Sequence, residues 1–288
     1  MNYMTVKEAA LAWNITERRV RRLCQSGRID GARRNGWAYM IPKQPKPGDA
    51  RTLRHLKNRS LHTGVQDFRA LDECRQTFKG RHANIIEFAA FGCRLEGFHL
   101  SESDITYIAN GTLVEHISLR DHLLVLNLLE ALRLIQNTDD VSIRPCEQQL
   151  HDFKAMLVHH RSKIQDVHYR VPQEKDNRSE SSLHVSQKLE ILFAQLEQEW
   201  RHLHPVAAAS FLLVEIVRIA PFEEDNYLLA LLMALVHLMS NHYAMPLFVL
   251  EEAEQLAAAI KGSFFRGNCN AVVVLLNDAL MRAYRTNC

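Results

Sequence analysis

The sequence predicts a mainly α protein, with a small basic head of two helices and a β-wing followed by an all-α helical bundle. Three observations carry that expectation. Long amphipathic segments with few strand signals fill the chain beyond residue 60. Ahead of them Pro42, Pro45, Pro47 and Gly48, interleaved with Lys43 and Lys46, interrupt any regular structure. Charge is also divided unevenly. Residues 1–60 hold 14 Lys and Arg against 4 Asp and Glu, a net of +10, leaving 21 basic and 29 acidic residues, or −8, in a chain whose net charge is +2. The expected organisation is a head over 1–48, a linker over 49–60 and a helical domain over 61–288.

In the head, Thr5 followed by Glu8 is a T-x-x-E capping box, opening a helix with Val6, Ala9, Ala10 and Trp13 on one face. Asn14-Ile15 breaks it, and Thr16 is the next cap candidate. The second helix turns Val20 and Leu23 inward and Arg18, Arg19, Arg21 and Arg22 outward, with Gly27 as its stop. Two helices joined by a tight turn, the second basic, form the helix-turn-helix pattern. Asn35-Gly36 then lies between Ala32-Arg33-Arg34 and Trp37-Ala38-Tyr39-Met40-Ile41, a strong hairpin signal that predicts a wing with Arg33 and Arg34 at its tip.

The stretch MTVKEAALAWNITERRVRRLCQSGRIDGARRNGWAYMIP resembles the excisionase/MerR-type winged helix-turn-helix. The resemblance departs at Trp13-Asn14, where that family carries an apolar residue and a glycine. It implies double-stranded DNA as the partner of residues 1–48, with Thr16, Glu17, Arg18, Arg19, Arg21 and Arg22 at the duplex and Arg33, Arg34 and Trp37 on the wing. Arginine reads guanine edges or grips phosphate, and the residues leave that choice open. Trp37 has two readings, packing between wing and helix or stacking at the interface.

In the body, periodicity predicts helices over 67–79, 83–95, 102–109, 119–136, 147–161, 185–201, 205–219, 227–240, 250–261 and 271–285. Ser101 with Asp104 and Ser118 with Asp121 are S-x-x-D caps, and Pro205 suits a first turn. Residues 170–184 are polar and irregular, a loop or weak hairpin.

Two body segments carry a second resemblance. AFGCRLEGFHLSESDITYIANGTLVEHISLRDHLLVLNLLEAL, residues 90–132, is similar to the part of Fic/DOC (filamentation induced by cAMP) proteins that runs from the inhibitory Glu-Gly into the following helix. Glu96 and Gly97 stand at that Glu-Gly, and Arg120, His122 and Asn127 fall on the helix. VRIAPFEEDNYLLALLMALVHLM, residues 217–239, stands where the family carries H-P-F-x-[DE]-G-N-G-R-x-x-R. The family uses that loop to hold nucleotide phosphates on backbone N–H groups at a helix N-terminus. Its histidine is the general base and its arginines neutralise the phosphates.

Against that pattern Ala220 replaces the histidine, Asp225 and Tyr227 replace the glycines, and Leu228 and Leu231 replace both arginines. Pro221, Phe222, Glu224 and Asn226 keep the pattern, and Glu223 fills its variable position. Losing the base alone costs about 10²–10⁴ in rate, and losing charged stabilisers of phosphoryl transfer about 10³–10⁵. The resemblance therefore implies a Fic-like fold without catalytic residues and without a cofactor. Phe222 is expected to anchor the loop by packing. With Leu231 in place of its arginine partner, Glu96 is expected to stand unpaired or to bond a neighbour such as Arg94.

Other chemistry finds little support. The six cysteines lack a C-x-x-C pair, and no H-E-x-x-H or zinc-spaced His/Cys set accompanies the 15 histidines, so no metal site is expected. No Walker loop, nucleophile elbow or dinucleotide fingerprint is present. The longest apolar run, 227–238, is too short to cross a bilayer, and residues 1–10 lack a signal-peptide core, which predicts a soluble cytoplasmic protein without a membrane partner. The function expected is a DNA-binding transcriptional regulator. Its degenerate Fic-like domain would dimerise it, bind a protein partner or sense a small ligand. The alternatives are a remodelled Fic nucleotidyl (AMP) or phosphoryl transferase, with 223–226 as hard oxygen ligands for Mg²⁺, and an antitoxin-like or assembly partner with autoregulatory DNA binding.

Overall fold

The computed structural model describes residues 3–13, 15–25, 29, 32–36, 38–42, 61–64, 66–78, 84–137, 144–161, 167–170 and 184–286. Trp37, Gly27 and the expected linker 49–60 lie outside them. The chain divides into two compact units, and each is taken by itself.

The smaller unit opens with β1 (Tyr3–Met4) and α1 (Val6–Ala12). The Thr5 hydroxyl accepts from the Glu8 N–H at 3.2 Å while the Glu8 carboxylate accepts from the Thr5 N–H at 2.7 Å, so the capping box is present on both sides. α2 (Glu17–Gln25) follows, with Thr16 Oγ1 accepting from the Arg19 N–H. β2 (Arg33–Asn35) and β3 (Ala38–Pro42) pair antiparallel with Arg34 opposite Tyr39. Gly36, at φ +59°, takes the left-handed conformation that the two-residue turn requires. β1 adds to the far edge of β3, giving the order β1-β3-β2. Its two residues are too few to show a period in the sequence. Ala9, Trp13, Val20, Leu23, Ile29 and Ile41 close one small core between the helices and the sheet.

Among the described residues, the regular structure of the larger unit is helical apart from one isolated bridge between His62 and Asn268. Its helices are α3 (Arg69–Thr77), α4 (Ile85–Glu96), α5 (Glu102–Ala109), α6 (Leu119–Asn137), α7 (Glu147–Val158), α8 (Val185–Gln198), α9 (Pro205–Ile219), α10 (Asn226–Ser240), α11 (Glu252–Arg266) and α12 (Asn270–Thr286). α9 and α10 pack most extensively, and α4 lies against α10. α9 and α10 are apolar on nearly every face, which identifies them as the buried centre rather than as a surface layer. Gly92 lets α4 approach α10 closely, because a Cβ there would stand 3.0 Å from Leu228 Cδ2 and 3.5 Å from Leu231 Cδ2.

These bounds follow the periodicity within three residues, except that α11 runs to Arg266, five beyond its expected end at 261; one shortfall is informative. The helix expected over 147–161 stops at Val158. His160 turns to φ +58°, and the buried Asn127 side chain donates to the carbonyls of Leu157 and His159, capping the end. The last carbonyls are thereby satisfied inside the core, with Arg161 also donating to the Leu157 carbonyl at 3.1 Å.

Candidate functional site

The loop between α9 and α10, residues 220–225, is the point where the helical unit concentrates its buried polar groups. Both of its ends are left-handed at residues other than glycine: Ala220 at φ 46°, ψ 70° and Asp225 at φ 66°, ψ 21°. That conformation costs an ordinary L-residue roughly 1–2 kcal/mol, and less for Asp or Asn. It persists here because each end is held by partners from elsewhere in the chain.

At the first end, Arg170 donates its guanidinium Nε to the Ala220 carbonyl and an Nη to the Ile219 carbonyl at 3.1 Å, and its own N–H bonds the Pro221 carbonyl at 2.9 Å. The last carbonyls of α9 are thus capped by a cation at the negative end of the helix dipole. In the middle, Phe222 is 1 % exposed and packs against Tyr169 and the edge of His151. Asn226 closes the loop on itself, accepting from the Phe222 N–H at 3.1 Å and donating to the Phe222 carbonyl at 2.7 Å. Glu224 pairs with Arg120 at the surface, while Glu223 is exposed.

At the second end, Asp225 is buried with a carboxylate oxygen 2.7 Å from Lys154 Nζ and 3.1 Å from an Arg161 Nη. All three side chains are at most 5 % exposed. Lys154 also donates to the Glu224 carbonyl at 3.1 Å. This is a charge triad of two cations and one anion, supplemented by a fourth group. Glu96, at the end of α4, accepts from the backbone N–H groups of Tyr227 (2.9 Å) and Leu228 (3.0 Å). Its carboxylate therefore occupies the positive N-terminus of α10, satisfying two of the N–H groups a helix start leaves open.

Burial pushes the Glu96 carboxyl up to about 7, with the Asp225 carboxylate acting in the same direction and the two N–H bonds and Lys154 opposing. Gly97, at φ 106°, ends α4 and turns the chain away immediately after Glu96. His122 lies on the inner side of α6, where Nε2 accepts from the Val114 N–H at 2.9 Å and Nδ1 lies 2.9 Å from the Ser118 carbonyl. It serves the turn before α6 rather than the loop.

Two expectations about this loop change. Glu96 is neither unpaired nor bonded to Arg94, which instead contacts His99. Its partners are main-chain N–H groups, which a reading by side-chain type does not register. Asp225 is not a bare carboxylate facing an anion pocket, because it is neutralised within the core. Lys154, Arg161 and Arg170 belong to the site without any motif that marks them. For Lys154 the available signal is its place on the inward face of an amphipathic segment. Arg170 opens a polar, irregular stretch that carries no such signal.

Leu228 and Leu231 are 1 % and 3 % exposed, packed in the core beside Gly92, so α10 presents apolar side chains to α4 at both positions. In the head, the structure brings Arg18, Arg19, Arg21 and Arg22 together on the solvent face of α2, with Val20 and Leu23 buried behind them. Arg21 makes an exposed pair with Glu17 at 2.7 Å. Thr16 is exposed ahead of the helix, and Arg33 and Arg34 are exposed on β2, where Arg34 Nε reaches the Gly36 carbonyl at 3.2 Å. Among the described residues no group of three His, Cys, Asp or Glu is placed to hold a metal ion. Among them, too, no helix is long and apolar enough to cross a membrane.

Solved structures of Fic proteins share the fold of this helical bundle. Fic-1 (residues 134–508) from C. elegans superposes with a TM-score of 0.63 at 16 % identity, covering 76 % of this chain and 69 % of that one. A Fic domain containing signaling protein from Bacteroides thetaiotaomicron VPI-5482 gives 0.61 at 17 % identity, covering 77 % and 96 %. A Fic family protein from Desulfovibrio desulfuricans G20 gives 0.53 at 17 % identity, covering 82 % and 73 %. No protein-family model and no curated protein matches the sequence. The chain has the Fic fold.

Removing the charge of Asp225 while keeping its shape and its tolerance of φ > 0, in Asp225→Asn, strands Lys154 and Arg161 in the core. Urea denaturation is expected to show a loss of about 3–5 kcal/mol; a loss below about 1 kcal/mol would show that the triad does not hold the loop. Glu96 gives a pH signature. Its folded carboxyl is raised from an ordinary 4.5 to about 7, so the stability it contributes is fully present below 4.5 and is lost as pH rises through about 7. Between about pH 4.5 and 8 the wild type should therefore lose thermal stability relative to Glu96→Gln, and parallel curves would contradict the burial argument.

Proposed function

We propose that this protein is a DNA-binding transcription regulator in which a Fic-fold body no longer transfers nucleotidyl groups and instead serves self-association, partner binding or ligand sensing. One observation carries the non-catalytic half of the reading. The α10 N–H groups of Tyr227 and Leu228, at the end of the loop where an active relative of this fold would seat phosphate, already bond the protein's own Glu96 carboxylate. An incoming phosphate would have to displace that carboxylate. At Ala220 there is no proton acceptor. Leucines at 228 and 231 face the core, where an arginine would have to bury an unpaired charge.

The DNA-binding half rests on the head. Four arginines share the outer face of α2, two more lie on the hairpin that follows, and residues 1–60 carry a net +10. A basic second helix followed by a β-hairpin is the arrangement that places one helix in a major groove and a wing on the backbone. An isolated short helix makes few base contacts, so a two-fold dimer on a palindromic site is part of the reading.

The test is duplex binding by the intact chain, followed by genome-wide recovery of bound DNA. Arg18, Arg19, Arg21 and Arg22 changed together to alanine should abolish the sharp sites. The same change should flatten the dependence of log K on log salt by up to about 4, roughly one for each phosphate that an arginine no longer neutralises. Absence of duplex affinity at moderate salt in the wild type would remove the DNA reading. Incubation with labelled ATP and Mg²⁺ should leave the protein unmodified, and incorporation of label would restore the transferase alternative.

A further inference from the structure

α6 is an amphipathic helix with a misplaced set of leucines. Its inner face, with Leu124, Val125, Leu128, Leu129, Leu132 and Ile135, is buried in the bundle. A helix of this kind normally carries polar residues on its opposite side. Here Leu119, Leu126 and Leu134 are 68 %, 40 % and 49 % exposed.

At about 100° per residue these three positions fall within about 80° of one another, and they share that strip with half-buried Leu123 and exposed Glu130. Arg133 borders it, so the strip carries one acid and one base and no net field of either sign. Single exposed leucines are ordinary, but three on one strip over 16 residues of a helix whose other face is already core, interrupted only by Glu130, are not.

The spacing of the stripe selects its occupant. Leu126 lies seven residues after Leu119 and eight before Leu134, about 10.5 Å and 12 Å along the axis. Leu126 is therefore within about 1 Å of the midpoint of the other two. A two-fold axis at that midpoint, relating two antiparallel copies of α6, sets Leu119 of one against Leu134 of the other at both ends and brings the two Leu126 side chains together at the centre. Such self-complementarity is what an isologous interface demands and what an unrelated partner has no reason to match. The same axis brings Arg133 level with Arg120 of the second copy, whose charge Glu224 already balances.

We propose that the exposed leucine stripe of α6, centred on Leu126, is the seat of a second copy of this chain in an antiparallel two-fold dimer. The inference deepens the proposed function by naming the surface that supplies its dimer, yet it stands on the leucine spacing and not on DNA. A helix about 28 Å long and 10 Å wide covers on the order of 300 Å² per copy, well below the roughly 800 Å² of a standard interface. The association is therefore expected in the micromolar range, where two DNA half-sites on one duplex would reinforce it.

The test is sedimentation velocity of the intact wild-type chain from about 1 to 200 μM, beside two variants at exposed positions. Leu119→Glu should shift the monomer–dimer midpoint at least about tenfold to higher concentration, with its thermal unfolding unchanged. Adding Leu134→Lys to Leu119→Glu should bring the midpoint back, because the antiparallel pairing sets each new acid against the new base of the other copy. A wild type that stays monomeric to about 200 μM overturns the inference. So does a dimer that tolerates Leu119→Glu, or a double variant that associates no better than the single one. The outcomes for the DNA reading are separate: a dimer with this behaviour that binds no duplex leaves the α6 interface standing and removes the regulator.

Discussion

The helical unit depends on one buried carboxylate. Asp225 sits at the start of α10 in a left-handed conformation, with Lys154 and Arg161 closing on its oxygens from α7 and the turn beyond it. Burial of either cation alone would cost several kcal/mol, and neither α7 nor the loop tolerates that cost without the acid between them. The triad therefore ties α7 and the turn beyond it to the start of α10 and sets which way the loop 220–225 runs. It makes the loop a structural joint.

Glu96 completes the joint from a different direction. Its carboxylate, carried on α4, lies on the N–H groups that begin α10. Arg170 does the reciprocal service at the end of α9, where a cation meets the last carbonyls. Both helix ends facing the loop are thus capped by side chains of the sign their dipoles favour. A loop held at both ends and at its middle, through Phe222 and Asn226, has little freedom to open around a substrate.

The head obeys simpler physics. A small core between two helices and a three-stranded sheet fixes the orientation of α2, and its remaining face is left to arginine. Four cations crowded on one helical surface repel one another, relieved in part by the Arg21–Glu17 pair. The contrast between this exposed charge and the neutralised charge of the loop is the clearest division of labour in the molecule.

The sequence by itself determined the elements and their ends. Helix periods, the Thr5–Glu8 and Ser101–Asp104 boxes and Pro205 act over a few residues, so a linear reading suffices, whereas the hairpin register sets Asn35 in β2 opposite Ala38, one residue off the turn expected at Asn35-Gly36. It also showed which residues of the loop depart from the pattern they resemble, since identity at a position needs no coordinates. What the tertiary structure decided is where the charges go. Glu96 meets the start of α10 across 131 positions in sequence, and Lys154 and Arg161 meet Asp225 across 71 and 64. Such meetings depend on how packing rotates each helix about its axis, which no local period records. The Glu96 carboxylate that looks unpartnered in the sequence is thereby found to join the end of α4 to the start of α10.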